Sequence, residues 1–378
     1  MTNTASAHLP DFPLLDYGHA LFPSEISPHE VHATRATFQW YDEFDFLPEN
    51  YYKFLDACRL TRLIARMYPF ATREGLALGT QFLTWLAFQE DHFPDGCFAR
   101  SPSGLAGMNV WFNEIMEDPA GTDHRVLGKE VCSRLPEKEA ECARRTMLAL
   151  ADLMRRMADY SAPSEYMRFV RAVDVVLMGT LWETGHRTDR ITPRPVEYVF
   201  GRRYTVGVPL AITLSIIADG YQLDNNEFCQ LDMRKLIALA GNIWGMCDDI
   251  TSYPKEKNFT TNELICYPMI MQRAGMTEQQ AIDETARLHN ESIARYVALA
   301  KDIQTRASVV LDRLIMTIGS ILRGFYDYSV IEGGRYPVRD FYNDPNGVFP
   351  PLPEGEALSA TTMPYRILNG LPASAGVR

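Results

Sequence analysis

The sequence predicts an all-α fold, and three observations support this prediction. Apolar residues recur at the spacing of an amphipathic helix in one segment after another, and the alternation typical of strands is nowhere sustained. Pro, Gly, Ser or Asp stands at most junctions between these segments. With 378 residues, of which 46% are hydrophobic, the chain can bury a large core. We therefore expect one large helical domain rather than two smaller ones.

The helical segments follow one another within residues 27–336, the predicted domain. Periodicity and junction residues predict helices at 28–44, 49–67, 72–90, 109–116, 137–160, 164–183, 196–220, 226–253, 262–274, 277–305 and 308–330. The flanking segments are rich in Pro, Gly, Ser and Ala and show little periodicity. This composition predicts an N-terminal surface arm at 1–26 and an irregular C-terminal tail at 337–378.

Charge and cysteine content exclude several classes of protein. A formal net charge of -11 argues against a nucleic-acid-binding surface, because binding to phosphate backbones needs clustered Lys and Arg. The seven cysteines are scattered, without a CxxC pair or a secretion signal, and are interpreted as reduced core thiols. No apolar stretch reaches the length of a membrane span. We expect a cytoplasmic protein, and a homodimer is left open.

The sharpest candidate site is a row of oxygen-bearing side chains formed by Asp248, Ser252 and Glu256. Residues spaced by four stack along one helical face, and Trp244 continues that face towards the apolar part of the predicted helix. Carboxylates that point into an interior are costly unless a cation or hydrogen bonds compensate them, and Mg²⁺ prefers oxygen ligands. The row therefore predicts a metal site, with a solvated polar helix end as the alternative. Pro254 is expected to kink or end this helix.

A second acidic cluster, from Glu90 to Asp95, follows a helix that is apolar on almost all sides and is therefore predicted to be central and buried. Asp91 and Asp95 share one helical face, whereas Glu90 points about 100° away from Asp91. Pro94 and Gly96 are expected to stop the helix. The cluster predicts a second metal-binding row at the opening of a cavity, and an ordinary exposed helix end is the alternative.

Two arginine-containing segments are candidates for binding phosphate oxygens, which suit the planar fork of a guanidinium group. Arg202 lies in the segment 198–207, where glycines and β-branched residues are expected to loosen a buried helix. Arg335 follows a Gly-Gly turn near the end of the predicted domain. A solvated face and an ordinary loop are the alternatives for these two segments.

The order of these motifs resembles that of the microbial class I terpene cyclases, over nearly the whole chain. The first acidic cluster looks like the family's aspartate-rich motif, with Glu90 in the place of its first metal-binding Asp, so that metal contact could pass to Asp91. Asp248, Ser252 and Glu256 match the family's metal-binding triad, with Asp248 in the place of the usual Asn. With Asp95, these residues form the expected metal-binding set.

The same resemblance implies four diphosphate-binding residues: Arg202, Lys255, Arg335 and Tyr336. Arg202 lies forty-six residues before Asp248 and occupies the place of the family's diphosphate sensor. Thr205 and Val206 fall where the family has a linker and a carbonyl-donating effector. Lys255 matches a basic residue beside the triad's Glu, and the remaining two match a terminal Arg-Tyr pair.

The resemblance implies a single-domain class I terpenoid synthase bundle with a central apolar cavity, three Mg²⁺ ions and a linear isoprenyl diphosphate substrate. Farnesyl diphosphate is favoured and geranylgeranyl diphosphate is the second option. Ionisation would release diphosphate, and the cyclised cation, a sesquiterpene or diterpene precursor, would end by deprotonation or water capture. Aromatic faces can stabilise a passing cation. The candidates for this role, each of which could instead be ordinary core, are Trp85, Phe88, Trp182, Trp244, Phe325 and Tyr328.

Two other functions remain open at this stage. A chain-elongating prenyltransferase also uses paired acidic motifs on an all-α fold, although its second motif should hold more aspartates than are found here. A non-catalytic helical metal-carboxylate or scaffold protein is the other alternative. Its only cue is one Glu-x-x-His unit, Glu183 and His186, where a di-iron bundle needs two.

Overall fold

The computed structural model describes residues 16–121, 135–258 and 266–332, and within these ranges it contains helices and no strand. The all-α prediction is therefore confirmed. The helices are α1 (Glu30–Phe44), α2 (Glu49–Cys58), α3 (Leu60–Met67), α4 (Arg73–His92), α5 (Pro102–Glu117), α6 (Glu137–Tyr160), α7 (Pro163–Asp189), α8 (Pro195–Thr205), α9 (Val208–Asp219), α10 (Asn225–Phe228), α11 (Leu231–Asn258), α12 (Tyr267–Arg273), α13 (Glu278–Gln304) and α14 (Val309–Tyr326). Two π-helical turns, Phe93–Cys97 and Asp327–Ile331, extend α4 and α14.

Helix α9 lies at the centre of the bundle. It is apolar on nearly every side, and all of its residues except Pro209 are buried. It packs against α4, α7, α11 and α14. A helix that is hydrophobic all round lies inside a protein, because no face of it is suited to water. Helix α4, which was predicted to be central, is likewise buried along most of its length.

Two predicted helices are interrupted. The segment predicted as one helix at 49–67 forms α2 and α3, which are separated by Arg59 at a φ of 53°. The segment predicted at 196–220 forms α8 and α9, which are separated at Val206 and Gly207, and Gly207 has a φ of 73°. A positive φ cannot continue a right-handed helix, and glycine adopts it without steric cost. This second break becomes part of the candidate site.

Pro254 was predicted to kink its helix or to end it. It does not end the helix, because α11 continues to Asn258. Proline removes one backbone donor, but the remaining hydrogen bonds on either side carry the helix past it. Helix α11 also begins later than predicted, at Leu231, after the separate turn α10. Helices α5 and α7 extend beyond the predicted 109–116 and 164–183. Of the predicted 262–274 helix, the described part is α12.

The described part of the predicted N-terminal arm contains exposed residues and three that are buried. Tyr17, Leu21 and Phe22 are buried in the main core. Tyr17 packs its ring against His289, and its hydroxyl lies 3.0 Å from Nε2 of that histidine. The predicted tail at 337–378 lies outside the described residues. No helix in the described part of the chain is long and apolar enough to cross a membrane.

Candidate active site

A cavity of about 200 Å³ lies within the bundle. Its wall is built from α3, α4, α8, the break before α9, α9, α11, α14 and the second π-helical turn. Glu90, near the end of α4, and Asp248, on α11, both line it. The two acidic clusters predicted from distant parts of the sequence therefore reach a common cavity.

Arg202 connects α8 to the acidic face of α11. Its Nη2 forms a salt bridge with Asp248, and its Nε donates a 2.9 Å hydrogen bond to Oδ1 of Asp249. The Arg202 side chain is only 12% exposed. Burial opposes its charge, but the carboxylates of Asp249 and Asp248 raise the pKa of Arg202 well above its usual value. The guanidinium group is therefore charged and held by two carboxylates at the edge of the cavity.

Asp249 is a residue that the sequence analysis missed. It is 1% exposed and accepts hydrogen bonds of 2.9 Å from three donors: Nε of Arg202, the hydroxyl of Tyr198 and the backbone N–H of Tyr267. Burial raises the pKa of Asp249, and the neighbouring Arg202 lowers it part of the way back. The spacing of four selected Asp248, but the adjacent Asp249 faces α8 and α12, which periodicity alone does not identify.

The rest of the triad lies one and two turns further along α11. Ser252 donates a 2.8 Å hydrogen bond to Oε1 of Glu256, so the two predicted ligands share a face although Pro254 lies between them. Oε2 of Glu256 is buried and has no hydrogen-bond partner among the described residues. An unpaired buried carboxylate oxygen is costly unless a further ligand binds it. The side chain of Lys255, in the same turn, lies outside what the structure describes.

The first acidic cluster is divided by the end of α4. Glu90 lines the cavity, and Asp91 accepts a 2.7 Å hydrogen bond from the hydroxyl of Tyr51 on α2. Asp95 lies in the π-helical turn and forms a 2.8 Å ion pair with Arg187. The predicted common face of Asp91 and Asp95 assumed a regular helix, whereas Asp95 lies in a π-helical turn and the two carboxylates bond partners on different helices, α2 and α7.

Arg187 is a second residue that the sequence analysis missed. It is 7% exposed, and besides its ion pair with Asp95 it donates a 2.7 Å hydrogen bond to the backbone oxygen of Pro94. It therefore attaches the turn after α4 to α7. A lone arginine near a helix end carries no sequence signal for this contact.

Glu183 lies one turn before Arg187 on α7 and faces the break after α8. One turn earlier on the same helix, a Cβ at Gly179 would lie 3.1 Å from the backbone nitrogen of Thr205, so the two segments touch. Burial raises the pKa of Glu183, and Arg202, Thr205 and Arg187 lower it in part. Glu183 therefore lies between Arg202, which pairs with Asp248, and Arg187, which pairs with Asp95.

The two residues of the Glu-x-x-His unit have different neighbours. His186 turns its ring towards the backbone oxygen of Trp182, at 3.0 Å, and towards Glu197, at 3.3 Å, and it does not line the cavity. Within the described ranges, no three His, Cys, Asp or Glu side chains are already grouped as a metal site.

The break between α8 and α9 forms one wall of the cavity. Thr205, Val206 and Gly207 all line it. The Thr205 hydroxyl accepts a 3.2 Å hydrogen bond from Nη1 of Arg202, which ties the break to the same guanidinium group that binds α11. The linker and effector positions of the sequence analysis thus lie beside both Arg202 and the cavity.

Three of the six candidate aromatic residues line the cavity. Trp244 and Phe325 face each other with ring centroids 4.9 Å apart, and Tyr328 donates a 2.6 Å hydrogen bond to the backbone oxygen of Cys58. These rings offer π faces and one fixed hydroxyl to the space that they enclose.

The other three aromatic candidates lie elsewhere. The cavity-facing stripe of α4 contains Leu83, Leu86, Ala87 and Glu90, and Trp85 and Phe88 lie off this stripe. Trp85 donates to the backbone oxygen of Thr146 on α6, and Phe88 packs against Tyr51. Trp182 packs against a smaller cluster formed by residues of α8, α11 and α12, and it covers Gly201. Arg335 and Tyr336 lie outside the described residues.

Residues 106–295, just over half of the chain, match the family model described as terpene synthase family 2, C-terminal metal binding. A 4-epi-cubebol synthase from Streptosporangium roseum, named as cyclising (2E,6E)-farnesyl diphosphate, is 24% identical over 317 residues, covering 83% of this chain and 90% of that protein. A germacradien-6-ol synthase from Streptomyces pratensis is 26% identical over 337 residues and covers 87% of each chain.

Solved structures share the fold. A 2-methylisoborneol synthase from Streptomyces coelicolor, in complex with Mg²⁺ and 2-fluoroneryl diphosphate, matches with a TM-score of 0.73 at 22% identity, over 85% of this chain and 96% of that chain. A linalool/nerolidol synthase from Streptomyces clavuligerus, in complex with 2-fluorogeranyl diphosphate, matches with a TM-score of 0.67 at 18% identity, over 83% of this chain and 98% of that chain.

Proposed function

The chain belongs to terpene synthase family 2 and is a class I terpene synthase, a lyase, and from this premise we propose that it ionises a linear isoprenyl diphosphate with the help of Mg²⁺. The carbocation cyclises in the cavity and diphosphate is released. The observation that carries this proposal is the shared cavity of Glu90 and Asp248, two carboxylates from different helices beside an otherwise largely apolar space.

The donor set fits Mg²⁺, which prefers carboxylate and hydroxyl oxygens. Oε2 of Glu256 is buried without a partner, Ser252 lies one turn from it, and Asp248 lines the cavity. Glu90 offers a carboxylate from the opposite wall. When bound, Mg²⁺ would neutralise the diphosphate as its bond to carbon breaks. We propose three ions by resemblance to the family, with Glu90 rather than Asp91 as the ligand on α4, because Glu90 lines the cavity and Asp91 does not.

Arg202 has a role that follows from its two ion pairs. Its Nη2 is bound to Asp248, a proposed ligand, so Mg²⁺ would compete with the guanidinium group for this carboxylate. The bond from Nε to Asp249 holds the side chain in place meanwhile. We propose that the freed end of the guanidinium group then binds the diphosphate and stabilises its developing charge. Lys255, Arg335 and Tyr336 are proposed to assist by resemblance to the family.

The cavity wall excludes water from the cation. Aliphatic side chains of α3, α4 and α9 enclose the space, and Trp244 and Phe325 offer π faces that stabilise positive charge without acting as nucleophiles. The released diphosphate is the proposed acceptor of the final proton. Farnesyl diphosphate is the proposed substrate, supported by relatives whose names specify it. A cytoplasmic location, the lack of a nucleic-acid partner and a homodimer stay predictions.

The test is incubation of the enzyme with geranyl, farnesyl or geranylgeranyl diphosphate, with and without Mg²⁺. Diphosphate release and volatile products identified by mass spectrometry are the readouts. Asp248→Ala and Glu256→Ala should abolish turnover with unchanged helix content, and the exposed Asp283→Ala is the matched control. Lack of Mg²⁺-dependent diphosphate release from all three substrates would refute the proposal. Longer linear products on addition of isopentenyl diphosphate would favour the prenyltransferase alternative.

A further inference from the structure

A groove of about 580 Å³ lies between α11 and α13, and it shares no lining residue with the cavity of the candidate active site. Three cationic side chains line it, one each from α8, α11 and α13: Arg203, Lys235 and Arg295. Among the described lining residues, Asp302 is the one acidic side chain. The groove therefore carries an excess of positive charge in a chain whose net charge is -11.

Arg203 is held in place without a carboxylate. Its stem lies against α11, where a Cβ at Gly241 would be 3.2 Å from its Cγ. Its Nε donates a 2.7 Å hydrogen bond to Oδ1 of Asn242, and its guanidinium carbon lies 4.8 Å from the centre of the Phe200 ring. Its two terminal nitrogens have no hydrogen-bond or ion-pair partner among the residues that the structure describes. Both can therefore donate to a ligand.

The other two cations are also available to an anion. Arg295 is exposed and forms no ion pair within the described ranges. Lys235 is 56% exposed and pairs with Asp232 at 3.1 Å, and an exposed pair of this kind is weak. The acidic side chain of the groove, Asp302, lies 3.4 Å from Arg306 in another exposed pair.

An ordinary solvated surface explains Lys235 and Arg295 but not Arg203, which is half-buried. Burial lowers the pKa of Arg203, Tyr204 raises it in part, and the like charge of Arg295 lowers it again. Carboxylates outnumber cations in the chain, 48 against 37, and the neighbouring Arg202 is paired with two of them. A guanidinium group taken partly out of water with no opposite charge is costly, and an anion bound in the groove would remove that cost.

The chemistry of the lining indicates which anion fits. Guanidinium and ammonium groups bind phosphate oxygens, and three of them around one groove match a group with more charge and more oxygens than a single carboxylate. The described lining contains no aromatic ring on which a nucleotide base could stack. The remaining walls are aliphatic and come from the facing helices: Ala238 and Leu239 of α11, and Ala298 and Leu299 of α13.

We propose that this groove is a second binding site for a diphosphate group, held by Arg203, Lys235 and Arg295 outside the catalytic cavity. Arg202 and Arg203 are consecutive on α8 and therefore point about 100° apart, the first towards the cavity and the second towards the groove. The ligand is diphosphate itself or a prenyl diphosphate, since both carry the group that the three cations recognise. The site needs no turnover, so it does not depend on the proposed function.

The test is isothermal titration calorimetry of the full chain with inorganic diphosphate, in buffer that contains EDTA and no Mg²⁺. The parent should bind diphosphate, more weakly at higher salt. Arg203→Gln and Arg295→Gln should each weaken binding about tenfold or more, as expected when a charged hydrogen-bond donor is lost. A parallel titration with geranyl diphosphate distinguishes the two ligands. Equal affinity would show that diphosphate is sufficient, and tighter binding would add the aliphatic walls to the site; either result supports the assignment.

Arg287→Gln is the matched control. Arg287 lies two turns before Arg295 on α13, is exposed, and bonds Glu284 and Glu291 instead of lining the groove. This variant removes the same charge and should keep the affinity of the parent. Absence of binding by the parent in EDTA, or an equal loss in all three variants, would overturn the inference. Unchanged affinity in Arg203→Gln and Arg295→Gln would overturn it too, because the anion would then be bound elsewhere.

Discussion

Gly245 on α11 is expected to control the position of Arg202. A Cβ at this position would lie 2.9 Å from Cγ of Arg202, whereas ordinary contacts begin at 3.4 Å. Gly245→Ala therefore requires the arginine stem to move by about half an ångström. Cγ is near the backbone end of the arginine side chain, so the displacement carries through to the Nε bond with Asp249. Misplacement of about 1 Å at a reacting group can cost roughly a hundredfold in rate, and we expect kcat to fall about tenfold or more.

The stability of the protein should move much less than its activity. Alanine in a helix interior is favoured over glycine by about 0.5–1 kcal/mol, which offsets part of the strain of the new contact. We therefore expect the free energy of unfolding of Gly245→Ala to lie within about 1 kcal/mol of the parent. Steady-state kcat and KM with the proposed substrate and Mg²⁺, together with thermal unfolding, measure the two effects separately.

Gly241→Ala is the matched control. Gly241 lies one turn earlier on α11, and a Cβ there would lie 3.2 Å from Cγ of Arg203. Arg203 bonds Asn242 and lies over the ring of Phe200, away from the cavity. This variant should keep the kcat of the parent. Parent-like kcat in Gly245→Ala, or an equal loss in Gly241→Ala, would refute the reasoning.

Three further predictions concern separate parts of the molecule. Arg202→Lys should lower kcat about a hundredfold or more with a smaller change in KM, because a point charge cannot bridge two acceptors as a planar guanidinium group does. Equal kcat values in the variant and the parent would reject the proposed role of Arg202. Glu90→Gln should lose more turnover than Asp91→Asn, because Glu90 lines the cavity, whereas the amide oxygen of an asparagine at position 91 can still accept the hydrogen bond from Tyr51. The reverse order in a Mg²⁺ titration would assign the metal contact to Asp91. Burial lowers the pKa of His289 from 6.5 to about 4, so the stability that its neutral form provides is present above about pH 6.5 and is lost as pH falls through 4. The loss amounts to at most about 1.4 kcal/mol per pH unit. His289→Gln should therefore reduce the difference between the free energies of unfolding at pH 7.5 and pH 4.5, as measured by urea unfolding. An unchanged difference would contradict the prediction.

The triad on α11 could be identified from the sequence because its signal is local. Asp248, Ser252 and Glu256 lie on one helix, and the spacing of four fixes their common face as long as the helix persists. The one error was Pro254, whose missing donor did not end the helix. A single absent hydrogen bond is small beside the packing of a long buried helix.

The partners of these residues could not be identified in the same way. Arg202 was selected by its position, but its bridge between Asp248 and Asp249 depends on how α8 crosses α11. Glu183 was considered only with His186, and the structure brings it to Arg202 and Thr205 instead. Such contacts join residues far apart in sequence, and no periodicity encodes them.

The sequence by itself determined the helical class of this protein, the order of its motifs and the common face of the proposed metal ligands on α11, because these depend on composition and on the repeat of a single helix. Only the tertiary structure decided that Glu90 rather than Asp91 lines the cavity, and that Trp85, Phe88 and Trp182 do not. The physical reason is that a helix repeat fixes relative angles within one helix, whereas the direction of the cavity is set by the packing of several helices around α9.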